Sequence, residues 1–484
     1  MATELRNKAF SNMIWRFMER VGAQAVAFVV EIILARLIAP EAFGIIALVT
    51  VFTSILQVFI DSGMGNALIQ KKDADDLDFS SVFYFNMAMC LMLYGLLFVS
   101  APFIADFYNM PDLTPVVRVL SLMLIISGIR NIQQAYVSKH LMFKRFFYAT
   151  LGGTIGAAVV GIAMAYKGFG VWAIVAQQLF RAGAAALILW FTVKWRPKLM
   201  FSFERLKKLF SYGWKLLLAS LINVVHKDLR ALIIGKLYTA SDLAFYRRGG
   251  RFPYFIVGNI NSSIDSVLLP TMSAKQDDKS RVRNMTRRAI KTSTYLMMPC
   301  MMMLAVCGEP IVRLILTEKW LPCVPFLRIF CFTYAFYPIH TANLNAIKAL
   351  GRSDLFLKLE IIKKIVGLTA ILSTMWISVF AMACGALVSS VLSQIINSWP
   401  NRKLLDYKYE DQLRDMLPQI LLSIGMGALV YCVNLLGLND ILTLLIQIPL
   451  GGVLYIAGSK FFKIDSFEYL MTMVQSFLKK RNKG

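Results

Sequence analysis

The sequence predicts an all-α integral membrane fold of about fourteen spanning helices. Three observations predict it. The 484 residues are 57% hydrophobic and only 17% charged, whereas soluble domains run near 45–50% apolar and about 25% charged. Long apolar stretches recur along the whole chain. The basic residues gather in alternate connections between those stretches. The net charge of +24 would suggest nucleic acid on a soluble chain, but this placement points to a membrane and to no nucleic-acid partner.

A spanning helix needs roughly 20 mostly apolar residues to cross about 30 Å of hydrocarbon. That ruler gives spans near 13–38, 42–66, 80–105, 115–138, 146–166, 170–193, 209–235, 242–271, 290–316, 324–347, 355–377, 379–399, 416–436 and 440–461. The first, seventh and eighth are the least apolar. With the N-terminus inside, the inner connections and termini hold 33 of the 52 Lys and Arg, and the outer connections hold 5. This positive-inside split orients the ladder and places both termini in the cytoplasm. The first 12 residues are polar and the next apolar run reaches full span length, so no cleavable signal peptide is expected. Seven Cys show no CxxC pair and read as packing residues. No connection is long enough for a soluble domain, so function is expected within the bundle.

The chain resembles itself at an offset of about 200. Ile33-Leu34-Ala35-Arg36-Leu37 sits over Ile233-Ile234-Gly235-Lys236-Leu237. A second register, offset 210, sets Pro115-Val116-Val117-Arg118 over Pro325-Phe326-Leu327-Arg328. Spans 1–6 and 7–12 therefore read as two pseudo-symmetric lobes, 1–200 and 201–410, around a central cavity. Residues 411–484 carry two extra helices and a basic tail. Such repeats suit alternating access.

An ionisable side chain at bilayer depth costs at least ~2.5–3.5 kcal/mol, so it marks a cavity or a partner. The first span carries Arg16, Arg20, Gln24 and Glu31 within about 80° of one another on a helix. Snorkelling to the headgroups is the alternative for Arg16 and Arg20, and explains Glu31 less well. The eighth span aligns Arg247, Arg251, Tyr254, Asn261 and Asp265 on one face. The seventh adds Asn223, Lys227 and Arg230 on a face, with Asp228 elsewhere. Asp228 either neutralises Lys227 or Arg230, or binds a coupling proton or Na⁺. Arg130 and Arg181 stand in the fourth and sixth spans. The substrate-binding candidates are thus Arg16, Arg20, Arg247, Arg251, Lys227 and Arg230, and the coupling or gating candidates are Glu31, Asp228 and Asp265. Arginine presents a bidentate fork to phosphate and stays charged, so this set suits an anionic, phosphorylated amphiphile. An exporter of organic cations would need acidic residues instead.

The sequence contains no GxxxxGK[ST] phosphate loop, no HExxH and no Ser-His-Asp order. An enzyme, a metal site or a bound cofactor is not expected, apart from Na⁺ or H⁺ coupling. A membrane glycosyltransferase or polymerase would need a large outer loop that the spacing does not allow. A non-transport scaffold is the bland alternative.

The stretches LARLIAPEAFGIIALV (34–49), DSGMGNALIQKK (61–72), LIIGKLYTASDLAFYRRGGRFP (232–253) and SVLLPTMSAKQDD (266–278) resemble a known family. It is the polysaccharide-transporter, Wzx-type flippase branch of the multidrug/oligosaccharidyl-lipid/polysaccharide (MOP) exporter superfamily. The resemblance covers nearly the whole chain and is silent on the sugar. It implies two six-helix lobes, two added helices and residence in a bacterial inner membrane. It also implies passage of undecaprenyl-diphosphate-linked oligosaccharide from the inner to the outer leaflet. The energy is expected from an ion gradient. Membrane lipids, a polysaccharide polymerase and chain-length machinery are the partners it suggests. A peptidoglycan-precursor flippase and a cation-coupled multidrug exporter are the alternatives of the same fold.

Overall fold

The computed structural model describes residues 22–61, 64–140 and 142–481. Helix α1 covers 22–37 of the described chain. It is followed by α2 (Pro40–Asp61), α3 (Met64–Gln70), α4 (Asp76–Tyr108), α5 (Leu113–Leu120), α6 (Leu122–Lys139), α7 (Phe143–Tyr166) and α8 (Val171–Thr192). Two long helices come next, α9 (Phe203–Leu237) and α10 (Ala240–Ser273). Then come α11 (Lys279–Val306), α12 (Gly308–Leu316), a 3₁₀ turn (Glu318–Cys323), α13 (Val324–Ala335), α14 (Tyr337–Ala349), α15 (Ser353–Thr374) and α16 (Val379–Ser398). The chain closes with α17 (Asn401–Leu404), α18 (Tyr409–Tyr431), a 3₁₀ turn (Cys432–Leu436), α19 (Asp440–Phe461) and α20 (Asp465–Arg481). The described residues form no strand.

Ten segments among the described residues are long and apolar enough to cross a membrane. Helices α9, α10 and α15 fall outside that set, although each is a continuous helix of 22 residues or more. The expected tenth span is one element by hydropathy and two in the structure, α13 and α14. Pro338 has no N–H to give to Tyr334, so the chain breaks at Phe336 and restarts with proline in the first turn. Helices also overrun the hydropathy ruler. The connection expected at 272–289 narrows to five residues, and most of the expected tail becomes α20. A helix end can leave the apolar layer and stay helical, because its polar face needs only water.

The fold divides between Ala244 and Phe245 into two compact units. In the first, α9 packs on α2, α3 and α4, and α7 pairs with α8. One core gathers Leu68, Phe79, Phe83, Ile132, Leu189 and Trp195. In the second, α11 packs on α18, α13 and α14, and α15 pairs with α16. There Met272, Ile290, Ile339, Tyr407 and Met416 form a core. Met302 and Met303 press on Gly427 and Gly451, where a Cβ would stand within 2.4 Å of each methionine. Flexible thioethers thus fill the seams beside α18 and α19.

A clasp of charges closes one end of each unit. In the first, Asp75 caps α4 and accepts from the Asp78 N–H at 3.0 Å, while Asp78 accepts from the Asp75 N–H at 3.2 Å. Arg205 of α9 meets Asp75 at 2.6 Å, and Lys71 meets the buried Asp78 at 2.5 Å. Lys198 and the Trp195 indole bind Asp76 at 2.6 and 3.2 Å. In the second unit, Arg287 of α11 grips Asp415 of α18 through two bonds of 2.6 and 2.7 Å. The Tyr407 hydroxyl donates to the same carboxylate at 2.8 Å. Lys291 joins Asp465 at 2.6 Å and so holds α20 to α11. Beside these charges, the Asn343 and Gln412 amides bond reciprocally at 2.9 and 3.1 Å, and Asn401 donates to Asn343 at 2.7 Å. All three amides are fully buried.

Candidate functional site

The first span begins before the described residues, so Arg16 and Arg20 lie outside them. Glu31 is half-buried on α1. On α9, Lys227 is exposed and Arg230 is half-buried. The Arg230 Nε is buried without a hydrogen-bond partner among the described residues. Asp228 accepts from the Ser54 hydroxyl of α2 at 3.2 Å. Through this bond its carboxylate reaches a neighbouring helix.

On α10, the Arg247 side chain is half-buried and that of Arg251 is exposed. Arg248, between them in sequence, is buried with its guanidinium 4.7 Å from the Trp320 ring centroid. That cation–π seat gives Arg248 a structural position. Further along α10, Asn261 accepts from the Thr341 hydroxyl at 2.7 Å and Asp265 accepts from the Asn345 amide at 2.9 Å. The predicted polar face therefore docks on α14 at its far end, while Arg251 and Tyr254 are exposed.

One cluster falls outside the predicted set. Asp61, at the end of α2, accepts from Gln57 at 3.0 Å and from Asn131 of α6 at 3.1 Å. Arg130 is the residue before Asn131, and Asp61 and Arg181 of α8 are the charges it feels. Helices α2, α6 and α8 pack on one another, which brings these residues together. Arg130 and Arg181 are visible in the sequence as charges within spans. Asp61 is the missed member, although a lone acid inside a span is itself a signal.

A cavity of about 610 Å³ opens at the first clasp, lined by Gln70, Lys71, Asp73, Asp75 and Arg205. Lys71 and Arg205 are already committed to Asp75 and Asp78, so it offers an anion little free charge. A drier cavity of about 300 Å³ is lined by Phe59, Phe85, Met89, Phe210 and Trp214. Among the described residues, no three of His, Cys, Asp and Glu gather as a metal site.

The long apolar helices define a multi-pass membrane protein. The fold matches the lipid II flippase MurJ in an inward closed conformation, with a TM-score of 0.73 at 16% identity, over 94% of this chain and 99% of that one. It also matches an inward-facing multidrug resistance MATE family transporter of the MOP superfamily, with a TM-score of 0.62 at 13% identity, over 79% of this chain and 94% of that one. The chain thus shares the fold of these two proteins. More particularly, residues 33–325 match the polysaccharide biosynthesis protein family, and the chain belongs to it. It is 24% identical over 387 residues to the teichuronic acid biosynthesis protein TuaB of Bacillus subtilis, covering 79% of this chain and 80% of that protein. It is 24% identical over 396 residues to the lipopolysaccharide biosynthesis protein WzxC of Escherichia coli, covering 81% and 80%.

Proposed function

We propose that the chain is a flippase for undecaprenyl-diphosphate-linked oligosaccharide repeat units. It carries them from the cytoplasmic to the outer leaflet of a bacterial inner membrane, with both its termini in the cytoplasm. The observation that carries this reading is membership of the polysaccharide biosynthesis protein family. The basic surplus on spanning helices fits a diphosphate, because guanidinium forks bind phosphate oxygens in pairs. In this reading the chain transports and performs no covalent chemistry.

Arg16 and Arg20 engage the diphosphate first. Arg247, Arg251, Lys227 and Arg230 receive it as transport proceeds. Glu31, Asp228 and Asp265 respond to a coupling Na⁺ or H⁺. The lobes 1–200 and 201–410 are the moving bodies, and 411–484 is accessory. A polymerase and chain-length machinery use the exported units.

A deletion strain complemented with the Arg247→Ala/Arg251→Ala double variant tests the reading. The expected result is full membrane insertion, lost surface polysaccharide and accumulated lipid-linked units. Normal export by the double variant would remove these two arginines from the route. A deletion strain with intact surface polysaccharide and no accumulated units would sink the flippase assignment. The likeness to the lipid II flippase fold favours one second reading, transport of a peptidoglycan precursor. Rescue of a strain depleted of its peptidoglycan-precursor flippase would select that reading.

A further inference from the structure

The second unit carries a row of one phenylalanine and three tyrosine rings near the middle of the expected spans 242–271 and 324–347. Tyr334 stacks on Phe330 with ring centroids 5.7 Å apart, and it meets Tyr254 of α10 at 6.0 Å and Tyr337 at 5.9 Å. The row continues to the His340 ring, 6.1 Å from Tyr337. It is built at the break between α13 and α14. Pro338 interrupts the helix there, so Tyr334 and Tyr337 stand on either side of a bend. Farther along α10, Asn261 and Asp265 hold that helix on α14 through Thr341 and Asn345, which keeps Tyr254 beside the bend.

Two rings of the row are open. Tyr254 is 51% exposed and Tyr337 41%, whereas Phe330 is buried. An open ring at this depth faces either acyl chains or water, and its neighbours decide which. Arg251 is exposed one turn from Tyr254 on α10, and a guanidinium turned to hydrocarbon is costly. Tyr337 lies within electrostatic reach of Glu360, and His340 of Lys363. Glu360 and Lys363 form an ion pair at 2.5 Å on α15. His340 Nδ1 accepts from the Asn397 amide at 3.0 Å, which leaves the ring proton on Nε2. The open rings thus stand among charges and hydrogen-bonding groups, on a face that lipid tails would not solvate.

A flat ring beside donors and acceptors is what a pyranose needs. The sugar's C–H bonds carry partial positive charge and settle on the negative face of an aromatic ring. Its hydroxyls each donate and accept, so they need both kinds of partner around that ring. A carboxylate offers about four lone pairs, so Glu360 can accept more than its Lys363 bond, while Lys363 and His340 Nε2 are donors. An aromatic cage for an organic cation is the competing chemistry. Charge decides against it, because Arg251 and Lys363 together outweigh Glu360 and make the local field positive.

We propose that Tyr254, Tyr334 and Tyr337 form a sugar-stacking subsite in the second unit, with Glu360, Lys363 and His340 reading hydroxyls at its rim. Tyr254 and Tyr337 are the platforms, and Tyr334 backs both. The ligand is the glycan part of an amphiphile, not its phosphate. The subsite deepens the flippase reading and rests on it. It lets the second unit tell a glycosylated lipid carrier from the bare carrier. Arginines alone cannot do so, because the diphosphate is common to both.

Mild acid releases the repeat-unit oligosaccharide from the lipid-linked units that accumulate in the deletion strain. That free oligosaccharide, which has neither lipid nor phosphate, is titrated into the full chain in lipid nanodiscs and read by calorimetry. Tyr254→Ala and Tyr337→Ala are each expected to weaken binding roughly threefold to tenfold. Tyr254→Phe and Tyr337→Phe are expected to stay near the wild type, because the ring is kept. Tyr254→Trp is expected to tighten binding, a gain that misfolding does not produce. Wild-type affinity in both alanine variants, equal losses in the phenylalanine variants or no binding by the wild type would each overturn the subsite. Accumulated units whose oligosaccharide ignores these tyrosines sink the subsite alone, whereas a deletion strain without such units sinks the flippase reading on which it rests.

Discussion

The two clasps occupy corresponding ends of the two units and have opposite polarity. In the first, α4 supplies acids and α9 supplies the arginine. In the second, α11 supplies the arginine and α18 the acid. The third residues of α4 and α11, Asp78 and Arg281, each follow a capping aspartate to which they donate a backbone N–H. What stays constant is depth. The Asp78 side chain is 0% exposed against 37% for both Lys71 and Arg205, and Asp415 is 5% exposed against 51% for Arg287. A short carboxylate can be buried while a long base covers it and keeps its charged head in water. Side-chain length, rather than which helix carries which sign, sets the arrangement.

The most damaging change should be at the deepest acid. Asp78→Ala leaves two cations without their buried partner and is expected to lower stability by about 3 kcal/mol or more. Arg281→Ala, at the matching position, should cost less than about 0.5 kcal/mol because its side chain is exposed. Thermal unfolding in detergent checks both, and equal losses would break the depth argument.

A smaller contrast separates Asp415→Ala from Arg205→Ala. The first strips the buried Tyr407 hydroxyl of its acceptor and is expected to cost about 1–3 kcal/mol. The hydroxyl itself stays protonated, because burial and then Asp415 push it above the usual tyrosine range. The second removes a solvent-screened ion pair and should cost less.

The weakest effect is a pH dependence. The Arg205 hydrogen bond lowers Asp75 from its ordinary 3.8 to about 2. The pair therefore adds stability above pH about 4 and loses it as pH falls toward 2. Arg205→Gln should melt below the wild type at pH 6 and converge with it near pH 2. A constant gap across that range would show that Arg205 acts by packing.

The sequence makes the helical ladder legible because hydropathy reports burial in lipid directly. The register of α2 and α10 is equally legible, since the Arg36 and Lys236 stretches mark matching helix ends. The clasps are not, because Asp75 and Arg205 are 130 residues apart and charges at helix ends look solvated. Within the candidate site, the polar residues of α10 are visible from their helical spacing. Its docking of Asn261 and Asp265 on α14 depends on a neighbour that periodicity cannot name. Asp61 is passed over because it ends an otherwise apolar helix, close to a lysine pair at 71–72.

The buried amide knot of Asn343, Asn401 and Gln412 has a mechanical consequence. The Asn343 and Gln412 amides bond each other in both directions, so α18 cannot slide or roll against α14 without breaking buried hydrogen bonds. Any stroke of the second unit must therefore haul α18 along as rigid cargo, and slack has to be sought in the methionine-filled seams beside Gly427 and Gly451.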